Sequence, residues 1–149
     1  MGLRERLDED LKKAMRERDV VRRSVIRYIR SEVHNEEIAL QKPLDDAGIV
    51  GVLSRQVRQR RESISEFRRG KREDLVQREE AELAVIQEYL PSQLTHEEVM
   101  ALAQGVIREV GAKGPGDKGK VMGRLMPQVR GKAEGSAVNE VVSRLLEAL

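Results

Sequence analysis

The apolar side chains of this chain recur every three or four residues along most of its length. Leu3, Leu7 and Leu11 begin the pattern, and no useful stretch alternates apolar with polar residues. This spacing places apolar residues on one face of an α-helix and argues against half-buried strands. Charged residues make up 36% and aromatic residues 2% of the chain, so aliphatic side chains must fill the core, as in helical bundles. The sequence therefore predicts an all-α fold.

Four helices are predicted in the first part of the chain. Proline interrupts a helix, and an Asp before a helix accepts hydrogen bonds from its free N–H groups. The predicted helices are residues 3–18, a second capped by Asp19 and broken at Pro43, a third capped by Asp45 or Asp46 and ended by Gly70 at its C′ position, and residues 73–90 before Pro91. The apolar face of the second helix is expected to contain Val21, Val25, Ile29 and Val33.

The segment Pro91-Ser-Gln-Leu-Thr is the expected domain boundary. It would divide a four-helix N-terminal subdomain, residues 1–91, from a three-helix C-terminal subdomain, residues 92–149. Thr95 and Glu98 form a capping box, which predicts a helix start. The three helices are expected from Thr95 to Gly111, from about Asp117 with Pro127 near its end, and after a Ser136 cap. The last helix should bury Val138, Val141, Val142, Leu145, Leu146 and Leu149.

The composition excludes several classes of site. The chain has no cysteine, which rules out disulfides, thiolate zinc sites and cysteine nucleophiles. No apolar run approaches membrane-spanning length, and the first residues are amphipathic rather than a signal sequence. His34 and His96 lack metal-binding spacing, and no nucleophile stands in a pattern with a base. We therefore expect a soluble, cytoplasmic, non-enzymatic protein without metal, cofactor or membrane partner.

Glycine and positive charge are concentrated in one stretch. Eight of the 12 glycines lie between residues 105 and 135, together with six lysines and arginines from Lys113 to Lys132. Backbone N–H groups beside cationic side chains suit a phosphate-bearing partner. The expected binding residues are Lys118, Lys120, Arg124 and Lys132, with a backbone loop supplied by Gly119, Gly123, Gly131 and Gly135.

A second basic block lies in the third predicted helix. Residues 49–72 carry eight basic and two acidic side chains, whereas residues 73–98 carry eight acidic side chains and one basic. Arg55, Arg58 and Arg61 lie on one arc of that helix and would form a second RNA anchor. The other interpretation is that these long helices pair their charges with one another.

The glycine-rich stretch matches two nucleotide-binding signatures, GxGxxG from Gly114 and GxxxxGK ending at Lys120. Both motifs need a buried strand before the loop and a helix after it. A helix is predicted before this loop instead. Val121 replaces the magnesium-binding hydroxyl, and Pro115 removes one backbone donor. A glycine-rich connection between two helices is therefore the better interpretation.

One charge interrupts the apolar face of each of two neighbouring helices. Arg60 projects into the face made by Ile49, Leu53, Val57, Ile64 and Phe67, and Glu79 into that made by Leu75, Leu83, Ile86 and Leu90. We predict that Arg60 and Glu79 form a largely buried ion pair that fixes the register of the two helices. The alternative is that one or both side chains reach solvent past the apolar face.

Several stretches together resemble the YqeY family. They are Arg60-Arg-Glu-Ser-Ile-Ser-Glu-Phe, Glu79-x-x-Glu-Leu, Tyr89-Leu-Pro-Ser-Gln-Leu, Gly119-Lys-Val-Met-Gly and Gly131-Lys-Ala-Glu-Gly, where Glu134 stands in place of the family's usual Asp. That family is similar to the C-terminal tail domain of GatB, the B subunit of glutamine-dependent aspartyl/glutamyl-tRNA amidotransferase, a carbon–nitrogen ligase. The resemblance implies paired helical subdomains and recognition of tRNA, without the catalytic parts of that enzyme.

Two functions follow from these observations. The first is a module that binds tRNA or another structured RNA by shape and charge, because the three aromatic residues are too few for a base-stacking platform. The second is an adaptor that docks on a protein partner, such as an amidotransferase or synthetase component. An independent amidotransferase or hydrolase is disfavoured because no catalytic set is visible.

Overall fold

The computed structural model describes residues 2–149, and the all-α prediction is confirmed over this range. Its seven α-helices are α1 (Leu3–Glu17), α2 (Val20–Leu40), α3 (Asp46–Arg69), α4 (Glu73–Gln87), α5 (His96–Val110), α6 (Lys118–Val129) and α7 (Gly135–Glu147), with a 3₁₀ helix at Pro115–Asp117. No helix in residues 2–149 has the length and apolar character needed to cross a membrane.

The helices gather into two compact units, one ending at Leu90 and the other beginning at Pro91. In the first unit, α3 packs along α4 and α1 packs along α2. Its core contains Leu7, Leu11, Ile26, Ile29, Leu53, Val57, Ile86 and Tyr89. In the second unit, α5, α6 and α7 bury Val99, Ala103, Val106, Val121, Leu125, Val138 and Val142. Division into a four-helix subdomain of residues 1–91 and a three-helix subdomain of residues 92–149 stays a prediction.

The starts of three helices follow the expected capping chemistry. Asp19 accepts a hydrogen bond from the Arg22 N–H, and Asp45 accepts one from the Gly48 N–H. The Thr95 hydroxyl oxygen accepts from the Glu98 N–H, while the Glu98 carboxylate accepts from the Thr95 N–H. These side chains satisfy backbone donors that have no partner within their own helix.

Four helices end in the same type of turn, which places one residue in the left-handed region of φ. These residues are Arg18, Gln41, Lys71 and Gly111, with φ of 55°, 56°, 57° and 66°. After α3, the Arg72 N–H donates to the Phe67 carbonyl, and the Lys71 N–H donates to the Arg68 carbonyl. This hydrogen-bond pattern makes Lys71 the C′ residue. Gly70, at φ −82°, lies one position earlier than expected.

Other boundaries differ from the sequence-based predictions. α4 ends at Gln87 rather than at residue 90, because tight turns follow and the residue before Pro91 disfavours the α conformation. Ser136 does not cap α7; the cap position is occupied by Glu134, and the helix already includes Gly135. Val21 and Leu149 were expected on buried faces but are 42% and 63% exposed.

Candidate functional site

Helix α6 presents two faces of opposite character. Val121, Leu125 and Val129 are fully buried on one side. Gly119, Lys120, Gly123 and Arg124 are exposed. Because Lys120 and Arg124 are four residues apart, they lie about 40° apart around the helix and share the outer face. Packing of the valine and leucine face therefore determines which cations point away from the unit.

Three of the four glycines assigned to a backbone loop are instead helical. Gly119 and Gly123 lie within α6, and Gly135 is the first residue of α7. Only Gly131 of that group lies in a turn, where φ is 78°. The prediction of a four-glycine loop was wrong because burial of the apolar face of α6 outweighs the low helix propensity of glycine.

The helical glycines leave a bare surface on α6. A Cβ atom added at Gly119 or Gly123 would meet no heavy atom within 4 Å, apart from the chain neighbours and the helix's own backbone. A glycine inside a helix costs about 1 kcal/mol relative to alanine. Contacts within the described residues do not explain these two glycines. They do allow a partner to approach the backbone of α6 closely.

The four cationic side chains predicted to bind phosphate in the second unit do not all share one surface. Lys120 and Lys132 are exposed and form no ion pair within residues 2–149. The Arg124 guanidinium pairs with the carboxylate of Glu109 on α5. Lys118 is half-buried at the start of α6, about 160° around the helix from Lys120. Lys118 and Lys120 therefore do not form one patch.

The turn between α6 and α7 holds Lys132 in place through its backbone. The Leu94 N–H donates to the Lys132 carbonyl at 2.8 Å. The Gln93 side-chain amide donates to the Gly131 carbonyl at 2.9 Å. Gly131 is buried with positive φ, a conformation that other residues adopt only with strain. This anchored turn leaves the Lys132 side chain exposed to solvent.

The loop that matches nucleotide-binding signatures has a different architecture. α5 ends at Val110, and the 3₁₀ helix at Pro115–Asp117 runs into α6. The Asp117 carboxylate accepts a hydrogen bond from the Lys113 N–H at 2.8 Å. A carboxylate therefore occupies a position where a phosphate-binding loop would offer N–H groups to an anion.

The arginine arc of α3 contains both paired and unpaired side chains. Arg55 lies 3.6 Å from the Glu36 carboxylate of α2. Arg58 is exposed and forms no ion pair within residues 2–149, and Arg61 is exposed as well. Pairing of Arg55 within the unit reduces the positive charge that this arc offers to a polyanion.

Arg60 meets two carboxylates rather than one. Its Nη1 lies 3.1 Å from Glu79 Oε2, as the helical pattern anticipated, and also contacts Glu82. The three side chains are 14%, 23% and 15% exposed. Glu82 was missed, although it is three residues after Glu79 and therefore on the same face of α4. Whether this cluster fixes the helix register stays a prediction.

A buried amide lies beside this cluster. Gln56 is 2% exposed, and neither its Oε1 nor its Nε2 has a hydrogen-bond partner. Gln56, Arg60, Glu79 and Glu82 line one polar pocket together with Tyr28. An unsatisfied buried amide is costly, so we expect apolar substitution of Gln56 to stabilise the first unit.

Tyr89, in the Tyr-Leu-Pro motif, packs against α1 inside the first unit. Its ring is buried, its hydroxyl donates to Asp10 at 2.5 Å, and the Arg6 guanidinium stacks 5.1 Å from its centroid. Burial and then the Asp10 carboxylate raise the pKa of Tyr89. The motif therefore joins α1 to the end of α4.

Histidine and carboxylate side chains do not gather into a metal-binding group in residues 2–149. His34 is exposed on α2, and His96 is the first residue of α5.

The family of the chain can be assigned by comparison with known proteins. The model of a family described as "Yqey-like protein" matches residues 4–146, almost the whole chain. This chain belongs to the YqeY family. The match leaves out only Leu3 of α1 and Glu147 of α7 from the seven helices, so the α6 surface and the arginine arc lie within the family domain.

Curated fungal relatives carry the name "Altered inheritance of mitochondria protein 41, mitochondrial". The protein from Pyrenophora tritici-repentis is 33% identical over 95% of this chain and 77% of its own length. Those from Lachancea thermotolerans and Eremothecium gossypii are 44% and 38% identical over 56% and 70% of this chain. The alignments cover 46% and 58% of those two proteins, about half their length. These names do not describe an enzyme.

The mitochondrial names contradict the cytoplasmic location expected from the sequence. That expectation rested on the composition and on the amphipathic first residues. Targeting signals are read by receptors and are separable from the fold. The composition of a helical domain therefore does not determine its location.

Proposed function

We propose that this YqeY-family chain is a non-catalytic module that binds tRNA through the outer face of α6. The supporting observation is the bare surface at Gly119 and Gly123, beside a Lys120 side chain that lacks an ion pair in residues 2–149. A phosphate-bearing backbone can approach a helix closely where side chains are missing, and a neighbouring ammonium group then neutralises its charge.

The proposed contact uses shape and charge rather than base stacking. Tyr89 is buried and Phe67 is half-buried, and of the three aromatic residues only Tyr28 is exposed. A single exposed ring does not make a platform for successive unstacked bases. Double-stranded RNA is recognised largely through its backbone and groove shape. Lys120 and Lys132 are the proposed phosphate contacts of the second unit, and Arg58 is the proposed anchor of the first.

The amidotransferase connection is part of this proposal. The chain resembles the tail domain of GatB, which recognises tRNA while other parts of that enzyme perform amide transfer. We infer that this chain has kept the recognition role. Amidotransferase or synthetase components are then proposed partners of the RNA-bound form.

Titration of the purified full chain with bulk tRNA at about 50 and 200 mM salt tests the proposal, because phosphate neutralisation makes binding salt-dependent. We expect Lys120→Glu and Lys132→Glu each to weaken binding and to reduce the salt slope by about one. Lys42→Glu is the matched control, since Lys42 is exposed in the α2–α3 turn. Equal weakening by Lys42→Glu, or no binding at low salt, would refute the proposal.

The glycines provide a second, charge-neutral test. Gly123→Ala adds one methyl group to the outer face of α6 without changing the net charge. We expect lower tRNA affinity with an unchanged salt slope, because the methyl group obstructs approach to the backbone. Gly51→Ala is the control, because a Cβ at Gly51 in α3 would also meet no atom within 4 Å. Unchanged tRNA affinity of Gly123→Ala would contradict a close approach at α6.

Pairing of Arg124 with Glu109 favours a second candidate function. An internally neutralised cation contributes less to polyanion binding, whereas a surface of mixed charge suits a protein partner. The candidate is an adaptor that docks on a translation-related enzyme. Co-purification of such an enzyme without RNA, insensitive to Lys120→Glu, would support the adaptor over the tRNA-binding module.

A further inference from the structure

Helix α2 carries an uncharged, exposed stripe outside its buried face, and Tyr28 within it also lies 5.9 Å from the Arg60 guanidinium of α3. The α2 stripe consists of Val21, Ser24, Tyr28, Ser31, Asn35 and Ile38, all of them exposed. Their spacing alternates between three and four residues over the length of the helix. In a chain that is 36% charged, a six-residue stripe without a charge is unusual.

The stripe is also the most apolar exposed part of the first unit. Val21, Tyr28 and Ile38 are 42%, 44% and 62% exposed, and Val20 beside them is 58% exposed. α2 buries Val25, Ile26, Ile29 and Val33 on its core face, and Val21 lies about 40° from Val25 at the edge of that face. A surface helix of a globular protein normally has one apolar face. Exposed apolar side chains beyond that face are a surface on which a partner helix can pack.

The spacing of the stripe matches a heptad seam. Alternating steps of three and four keep apolar positions on the line where two helices meet. Val21, Tyr28 and Asn35 take the first position of successive heptads, and Ser24, Ser31 and Ile38 take the fourth. A single Asn at the first position specifies the register and number of paired helices at a cost in stability. Asn35 fits that role.

The charges beside the stripe are self-complementary. Arg27 and Glu32 lie about 70° on either side of its centre line. Neither forms an ion pair within residues 2–149. In a parallel pair of identical helices, the residue directly before the first position of a heptad faces the residue five positions later on the other helix. Arg27 then faces Glu32 of the second copy, twice over by symmetry.

An antiparallel pairing would not use these charges. It brings like flanking positions together, so with Ser24 opposite Asn35 of the second copy, Arg27 would lie near His34 and Glu32 near the buried Val25. Neither contact pairs opposite charges. The charge pattern therefore favours the parallel pair.

We propose that α2 of this chain packs in parallel against α2 of a second copy to form a weak two-fold dimer. The stripe is about 26 Å long at 1.5 Å per residue. One helix pair of this length buries less than the roughly 1,200 Å² typical of stable complexes, so the dimer dissociates readily on dilution. The inference concerns the first unit alone and does not depend on tRNA binding.

Cysteine cross-linking of the full chain tests this arrangement. The chain has no cysteine, so one introduced thiol can form a disulfide only between copies. In the parallel pair, position 31 faces its symmetry mate with Cα atoms about 6 Å apart, within disulfide range. We expect Ser31→Cys and Ser24→Cys to cross-link about tenfold faster than Ser65→Cys. Ser65 is the matched control because it is exposed on α3, in the same unit.

Exchanging the charges of Arg27 and Glu32 distinguishes cross-linking within the proposed dimer from cross-linking by random collision. In the Ser31→Cys background, Arg27→Glu should reduce cross-linking to the rate of the Ser65→Cys control, and adding Glu32→Arg should restore it. Equal rates for Ser31→Cys and Ser65→Cys would overturn the proposal and leave the stripe to a different protein. Faster cross-linking of a Ser24→Cys and Asn35→Cys mixture than of Ser31→Cys alone would overturn the parallel arrangement.

Discussion

At the scale of single residues, the first unit buries several polar and charged side chains beside its apolar core. Arg60 faces Glu79 and Glu82, and the Gln56 amide lies beside them without a hydrogen-bond partner. Buried charges and amides stabilise a fold only when their hydrogen bonds are complete. The ion cluster and the amide should therefore respond in opposite directions to apolar substitution.

Replacement of Gln56 by methionine should stabilise the protein. The two side chains have similar volume, and the change removes an unsatisfied buried amide, so we expect a gain of about 1 kcal/mol in the free energy of unfolding. Urea denaturation measures it, and Gln59→Met at an exposed position of α3 is the control. A loss of stability would mean that the Gln56 amide is hydrogen-bonded in solution.

Replacement of Arg60 by methionine should destabilise the protein by about 3 kcal/mol, because it strands two partly buried carboxylates. Glu79→Gln should cost less, since Glu82 still pairs with Arg60. Double-mutant cycles with Glu79→Leu and Glu82→Leu separate the two couplings by urea denaturation. Zero coupling between Arg60 and both glutamates would show that the cluster does not stabilise the helix pair.

The Glu37 carboxylate should make stability depend on pH. The Leu44 N–H, and then the Arg4 guanidinium, hold the pKa of Glu37 below its ordinary value. A lowered folded-state pKa contributes stability above the unfolded-state pKa of about 4.3 and loses it as pH falls through the folded value. Glu37→Gln should therefore flatten the decline of the thermal midpoint below about pH 5. An unchanged decline would exclude this carboxylate as its source.

At the scale of helices, apolar spacing predicted the elements and local chemistry predicted several of their ends. Asp19, Asp45 and Thr95 cap helices as expected because capping depends on nearby residues alone. The apolar spacing of Val121 and Leu125 also predicted the helix that contains Gly123. The separate assignment of Gly123 to a backbone loop rested on the low helix propensity of glycine and was wrong. Helical spacing also places Glu82 on the face of Glu79, but the predicted ion pair did not include Glu82.

The stability of α6 should rise when its central glycine is replaced. Gly123→Ala should increase the free energy of unfolding by about 0.5–1 kcal/mol, because alanine restricts the unfolded chain and meets no atom in the folded one. Gly111→Ala is the opposing control, since the φ of 66° at Gly111 strains any other residue. Thermal unfolding measures both. Destabilisation by Gly123→Ala would indicate an internal contact at this face.

At the scale of the whole molecule, the sequence predicted the family but not the location of its members. The motifs at Tyr89, Gly119 and Gly131 lie within the matched family region, and Tyr89 and Gly131 have local structural roles. The exposed face of α2 was missed because Val21 was assigned to the core by spacing alone. Spacing identifies a helical face, but tertiary packing decides whether that face is covered.

Limited proteolysis of the full chain should cut first at residues 91–93. Pro91, Ser92 and Gln93 are exposed and lie outside regular secondary structure, and exposed segments of this kind open most easily. Mass spectrometry of early products should find two fragments that meet there. The turn at Pro43 is the internal comparison, because it is also exposed but lies within one compact unit. A first cut at Pro43 would contradict separate compact units.

The helix-ending turns give the two units different sensitivities to substitution. The first unit places Arg18, Gln41 and Lys71 at backbone angles that glycine tolerates better, whereas the second uses Gly111 and Gly131 at such positions. Side chains there strain the native turn, and glycines enlarge the conformational freedom of the denatured chain. Random mutagenesis should therefore find that glycine at position 18, 41 or 71 raises the free energy of unfolding of the first unit. Substitutions of Gly111 or Gly131 should only lower that of the second unit.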